Sequence, residues 1–137
     1  MSVEENMNVT HRFIDDVVNG KHPESIEELT SPAYRLHFPG QPPLDRDGQL
    51  KMGTELRAAF SDFFVHLDDV VAMRDGVAFL IRMTGTHSGT FQGMAATGKK
   101  IDVPGQVFFR LKDGKIIEDR PLFDRMTLLE QLGVVPH

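Results

Sequence analysis

Asp124 is the carboxylate whose neighbours suit it best to acid/base work. It follows Leu122-Phe123 and precedes a segment, Arg125 to Leu132, in which Met126, Leu128, Leu129 and Leu132 fall at helical spacing. A carboxyl among apolar side chains loses solvation, its pKa rises toward neutrality, and it can then give and take a proton beside a carbonyl. The same position suits an N-cap, where backbone N–H groups hold the carboxylate and depress its pKa. The two roles predict opposite shifts, so titration separates them.

Other side chains could share that chemistry. His37, on an alternating segment beside a proline-rich stretch, could be a second acid/base group or a half-exposed strand histidine. Gln106 could orient a substrate oxygen from the strand next to the one that leads to Asp124, or face solvent. Arg120 shares a face of the last strand with Asp124 on strict alternation, about 13 Å along it. It could bind an enolate oxygen or pair with a neighbouring charge. Tyr34, the one tyrosine, could line a pocket or sit in the core, and its hydroxyl needs a partner if buried. His87, just before Ser88-Gly89, could touch a ligand or serve the loop. His66 and Asp68 share a strand face but lack a third ligand, so no metal site is expected.

The elements that must hold these residues are readable from periodicity. Val3, Met7, Phe13, Ile14, Val17 and Val18 form a helical stripe ending near Asn19-Gly20. Pro23 opens a short second helix that ends near Ser31-Pro32. Tyr34, Leu36 and Phe38 alternate with Arg35 and His37 as a strand, closed by Pro39-Gly40. Asp47 can cap a third helix over about residues 48 to 63, with Leu50, Leu56, Ala59, Phe60 and Phe63 inward. Residues 64 to 73, 77 to 87, 99 to 111 and 115 to 123 read as strands, with turns at Asp75-Gly76 and Asp113-Gly114. Helices followed by long hairpin strands predict an α+β fold in which a curved antiparallel sheet wraps around about three N-terminal helices, with a short C-terminal helix closing the chain.

Composition limits the partners. The chain has 137 residues, 40% of them apolar, and a net charge of -5, which fits a single domain with a real core. No basic stripe exists for a phosphate backbone, so nucleic acid is not expected. No apolar run reaches the roughly 18 to 20 residues that span a bilayer, and the N-terminus is acidic rather than signal-like, so a cytoplasmic protein without membrane contact is expected. With no cysteine, chemistry falls to carboxylates, histidines, hydroxyls and amides.

Four pieces in this order resemble the SnoaL-like polyketide cyclase family: GTHSGTFQGMAATGKKI (Gly85 to Ile101), RLKDGKIIED (Arg110 to Asp119), Asp124, and LLEQLG (Leu128 to Gly133). The resemblance implies a cone-shaped NTF2-like fold with a deep apolar pocket, commonly a homodimer through its sheet. It also implies aldol-type ring closure without metal or organic cofactor, an aspartate acting as general acid/base at the position that Asp124 matches. Two positions depart from the family pattern. Arg120 stands where a tryptophan is common, and Phe108 or Arg110 stands where the assisting histidine would be.

Three functions follow as expectations. The first is a cofactor-free cyclase or isomerase acting on a small apolar or aromatic molecule, with Asp124 and His37 catalytic and Gln106, Arg120, His87, Tyr34 and Phe108 binding substrate. The second is an NTF2-like binder of a small lipophilic ligand without turnover. The third leaves the sheet face to dimerisation and the pocket vestigial.

Overall fold

Ser2 starts the first helix by accepting a hydrogen bond from the Glu5 N–H at 3.0 Å, and α1 runs Val3–Arg12 in a computed structural model that describes residues 2–134. The helix then widens to a π turn over Phe13–Val18, with the Asn19 N–H on the Ile14 carbonyl at 2.8 Å. That turn puts Phe13, Ile14 and Val17 into the core together. A 3₁₀ turn at Pro23–Ser25 leads into α2 (Ile26–Leu29), which stops where β1 (Thr30–Leu36) begins.

Helix α3 spans Arg46–Ala59, earlier at both ends than periodicity suggests. Its cap is Asp45, whose Oδ1 accepts from the Gly48 N–H at 2.9 Å, rather than Asp47. Two carboxylates two residues apart compete for this role, and the one that follows Leu44 wins. The backbone bridge of Leu44 to Leu36 fixes the chain's entry there. Arg46 then reaches back to the Thr30 carbonyl at 2.7 Å and to its hydroxyl at 2.8 Å, tying α3 to the start of β1.

Strands β2 (Phe64–Ala72), β3 (Gly76–Thr86), β4 (Lys100–Lys112) and β5 (Lys115–Phe123) form the expected antiparallel meander. The β4–β5 turn has both central residues at positive φ, Asp113 at 53° and Gly114 at 76°, which matches the twist of a tight hairpin. The sheet order is β1-β5-β4-β3-β2, and β1 joins β5 in parallel, a pairing that local pattern does not predict. At the opposite edge the Asn19 side chain acts as a substitute strand residue. Its Oδ1 accepts from the Val65 N–H at 2.7 Å and its Nδ2 donates to the Val65 carbonyl at 3.0 Å. This blunts an edge that would otherwise offer free backbone groups.

Alternation sorts the sheet into two faces. Val77, Phe79, Ile81, Val103, Val107 and Phe109 point inward to the helices. Ala78, Leu80, Gln106, Phe108, Arg120 and Leu122 point outward. Helix α4 (Arg125–Gln131) closes the chain, and Gly133 at φ 79° supplies the left-handed residue expected at its end. Among the described residues, no helix is long and apolar enough to cross a membrane.

Candidate acid/base site

Of the carboxylates on and just after β5, Glu118, Asp119 and Asp124, the buried one is Asp119. A register shift in β5's pairing with β4, between Arg110 and Leu111, turns both Ile116 and Asp119 inward although they lie three residues apart. Phe109 of β4 and Leu36 of β1 flank Asp119 on the neighbouring strands. The carboxyl is 4% exposed and accepts a 2.6 Å hydrogen bond from the hydroxyl of Tyr34, itself fully buried on β1.

Tyr34 packs on Phe13, with ring centroids 6.0 Å apart, and Phe13 meets Phe109 edge-on at 5.4 Å. These walls leave the carboxyl little contact with water. Desolvation therefore pushes the Asp119 pKa up to about 7, and the Tyr34 hydrogen bond only partly offsets the rise. Burial and the neighbouring carboxylate also hold the Tyr34 phenol well above its ordinary value, while the amide of buried Gln49 on α3 pulls the other way. One oxygen of Asp119 is engaged by Tyr34, and among the described residues the other makes no hydrogen bond. A carboxyl half-protonated near neutrality, with one oxygen free, can donate a proton or accept one.

Asp124 occupies the opposite environment. It is the N-cap of α4, accepting from the Thr127 N–H at 3.0 Å and from the Thr127 hydroxyl at 2.7 Å. Those bonds hold its pKa below the ordinary carboxylate value, and the side chain stands in solvent. An exposed, stabilised carboxylate is a weak base, so Asp124 has the surroundings of a cap, and the desolvated surroundings that acid/base work needs are those of Asp119. Asp124→Ala is expected to lower the melting temperature through loss of the cap, and Asp124→Ser to keep most of it. Calorimetry checks both. Because the folded pKa is depressed, the cap's contribution is present above the ordinary carboxylate pKa and fades as pH falls through the folded value.

The remaining candidates divide by face. Tyr34 joins the inner site. Gln106, Phe108 and Arg120 do not, because they lie on the outer face, where Gln106 is paired with Leu122 and Phe108 with Arg120. Arg120 there binds Glu118 at 3.0 Å, and Arg110 stacks over the Phe108 ring at 5.0 Å. Strict alternation puts Asp124 on that outer face, and the chain leaves the strand before reaching it. His37 is half-buried just past β1, with its backbone N–H on the Asp119 carbonyl at 2.8 Å. His87 is fully buried at the end of β3, against Phe60. His66 shares a hydrogen bond with Thr84 at 2.9 Å.

Asp119 and Gln49 are the residues that pattern reading misses. The signal for Asp119 is weak but real: it shares alternation with Pro121 and Phe123, while the charged Glu118 and Arg120 mark the solvent face.

Partly buried Phe38, Met52, Leu56, Met83, Phe91, Met94 and Phe123 pack against the buried core. Phe38 and Phe123 meet edge-on at 6.4 Å. Two clefts open outside the core. One, of about 340 Å³, lies between α1 and β2, and the other, of about 380 Å³, lies on the outer sheet face.

Comparison with known proteins accords with this architecture. IdmH of Streptomyces antibioticus, a candidate polyketide cyclase, is 30% identical and superposes with a TM-score of 0.82, covering 94% of this chain and 99% of its own. A candidate SnoaL-like polyketide cyclase from Jannaschia sp. CCS1 reaches 0.86 at 24% identity, with 97% and 94% covered. AclR of Streptomyces galilaeus, a candidate hydroxylase, reaches 0.85 at 24% identity, with 99% and 89% covered, so this fold carries more than one named chemistry. No curated protein matches the chain. The profile of SnoaL-like polyketide cyclases matches residues 8–132, nearly the whole chain, and with that match the chain belongs to the SnoaL-like polyketide cyclase family.

Proposed function

We propose that this protein carries out cofactor-free acid/base chemistry next to a carbonyl, in the form of aldol-type ring closure, on a small apolar or aromatic substrate. The observation that carries the reading is the Asp119–Tyr34 dyad. It is a carboxyl buried among Phe13, Phe109 and Leu36, titrating near neutrality and held in place by a tyrosine hydroxyl. Asp119 takes the proton from the carbon acid and returns one to the developing alkoxide. Tyr34 fixes the carboxyl's orientation and follows its change of charge through the shared hydrogen bond. Proton transfer of this kind supplies about 10²- to 10⁴-fold, so the substrate's own conjugation must stabilise the enolate.

The test is a panel of aromatic β-keto esters in D₂O. Deuterium incorporation at the acidic carbon, accelerated by wild-type protein, supports the reading. The absence of an assisting histidine, with Phe108 or Arg110 at its place, favours one rival, a binder of a small lipophilic ligand. Saturable binding with no acceleration of exchange selects that rival.

A homodimer formed through the outer sheet face is part of the same proposal. Val71, Leu80 and Leu122 are 67%, 45% and 62% exposed on one face, an apolar patch that a second copy would cover. Light scattering is expected to give twice the 15.4 kDa chain mass. Leu122→Glu is expected to halve it, and wild-type protein already at the chain mass would remove the proposal.

A further inference from the structure

His87 carries a buried hydrogen-bond donor with nothing to donate to. The ring is fully buried at the end of β3. Its Nδ1 receives the Thr97 N–H at 3.3 Å and lies 2.9 Å from the Thr97 hydroxyl. A backbone N–H can only donate, so Nδ1 is the acceptor and the proton sits on Nε2. Nε2 has no hydrogen-bond partner among the described residues. The imidazole ring lies against apolar rings, its centroid 5.4 Å from that of Phe60, tilted by 33°, and 6.4 Å from that of Phe91, edge-on. An unmade bond to a buried donor costs about 1–3 kcal/mol, so a site that fixes the tautomer and then leaves the proton unpaired calls for an explanation.

The cover over His87 is a strap, Ser88–Gly98, fastened firmly at its base and lightly at its tip. At the base the His87 N–H meets the Lys99 carbonyl and the Gly98 N–H meets the His87 carbonyl, each at 2.8 Å. The Ser88 and Gly89 N–H groups both reach the Ala59 carbonyl at the end of α3, at 3.0 and 2.9 Å. The tip is a two-residue turn between Phe91 and Met94, with Gln92 and Gly93 both at positive φ. Among the described residues no backbone hydrogen bond ties it to the body, and it is held by the packing of Phe91 and Met94 on the core, with Phe91 and Phe60 in a T-shaped contact at 5.3 Å, and by an exposed bond from Arg125 to Gln92 at 3.1 Å. A segment fastened this way opens at much lower free energy than the strands beneath it.

We propose that the strap is a lid and that His87 beneath it is a substrate-binding residue. When Phe91 swings off Phe60, Nε2–H is presented to a carbonyl or enol oxygen of an apolar ligand, and the aromatic rings take the ligand's body. This rests on the reading that a small carbonyl compound enters the fold, and it does not depend on Asp119 being the proton carrier.

The test uses the full ¹⁵N-labelled chain and benzoylacetone, an aromatic 1,3-dicarbonyl, followed through imidazole ¹H–¹⁵N spectra. The free protein is expected to show His87 as the Nε2–H tautomer. Benzoylacetone should move that proton downfield, in wild type and in Asp119→Asn alike. Phe91→Ala should speed its exchange with solvent at least about 10-fold, as removal of an aromatic contact from the cover would. An Nε2–H that benzoylacetone leaves unmoved up to its solubility limit overturns the binding role, and an upfield-shifted, unmoved proton identifies a contact with the Phe91 face instead. Unchanged exchange in Phe91→Ala overturns the lid. A downfield shift with no acceleration of deuterium incorporation into the ligand in a parallel D₂O sample, over the rate without protein, keeps His87 as the binding residue and removes the acid/base reading of Asp119.

Discussion

Asp119→Asn is expected to reduce protein-catalysed deuterium incorporation into β-keto esters by about 10²- to 10⁴-fold, because the amide keeps the shape of the carboxyl and cannot carry its proton. The same substitution has a thermodynamic signature that does not depend on substrate. Burial raises the Asp119 pKa from 3.8 to about 7, so the folded protein binds this proton more tightly than the unfolded chain. Stability from this group is therefore full below about pH 4, declines as pH rises, and is lost once pH passes about 7. At about 1.4 kcal/mol per unit the whole swing is roughly 4 kcal/mol. Urea titrations at pH 5 and pH 8 should show wild type losing much of that amount and Asp119→Asn losing little of it. A wild-type stability that is flat across the interval would mean that the carboxyl is not buried in solution.

Phe13→Ala carries the second large effect, on stability and site together. Phe13 is fully buried on the π turn and touches both Tyr34 and Phe109. Truncating such a ring costs about 3–5 kcal/mol, to be read from denaturant midpoints. The cavity left beside Tyr34 also admits water next to the dyad. Desolvation is the main cause of the raised Asp119 pKa, so hydration should move it back toward the ordinary carboxylate range. In the pH profile of deuterium exchange the acid limb should shift to lower pH. Phe13→Leu, which fills most of the space, should leave that limb close to its wild-type position. Equal limbs in all three proteins would show that Phe13 stabilises the fold without tuning the carboxyl.

The parts of this fold that rest on local rules were legible in the sequence. The ends of β2 to β5 follow from alternation bounded by Asp75-Gly76 and Asp113-Gly114, and the last helix from its apolar spacing and Gly133. The site was legible only in part. Tyr34 was found because a buried hydroxyl needs a partner, but its partner lies 85 residues away across a parallel pairing that no local pattern announces. The face of β5 turns on the irregular pairing at Arg110 and Leu111, and one such shift moves a carboxylate from one side of a sheet to the other. The apolar sequence neighbours of Asp124 suggest a desolvated carboxyl, and its surroundings in space are different. Leu122 instead points to solvent, and Thr127 supplies the bonds that matter. Gln106, Phe108 and Arg120 were placed on the correct strands, and it is the direction of those strands' outer face that separates them from the dyad.

The parallel joining of β1 to β5 also says when the dyad can come into being. Hairpins β2–β3, β3–β4 and β4–β5 close short loops and can form early, whereas β1 must find a strand made near the end of the chain. Until then Tyr34 and Asp119 remain separate, solvated groups with ordinary acidities. A chain still emerging from the ribosome, or cut before β5, holds most of its hydrophobic residues but no buried carboxyl beside Tyr34. Completion of the sheet and arming of the dyad are thus one event, and the change in Tyr34 absorbance as it leaves water would time both.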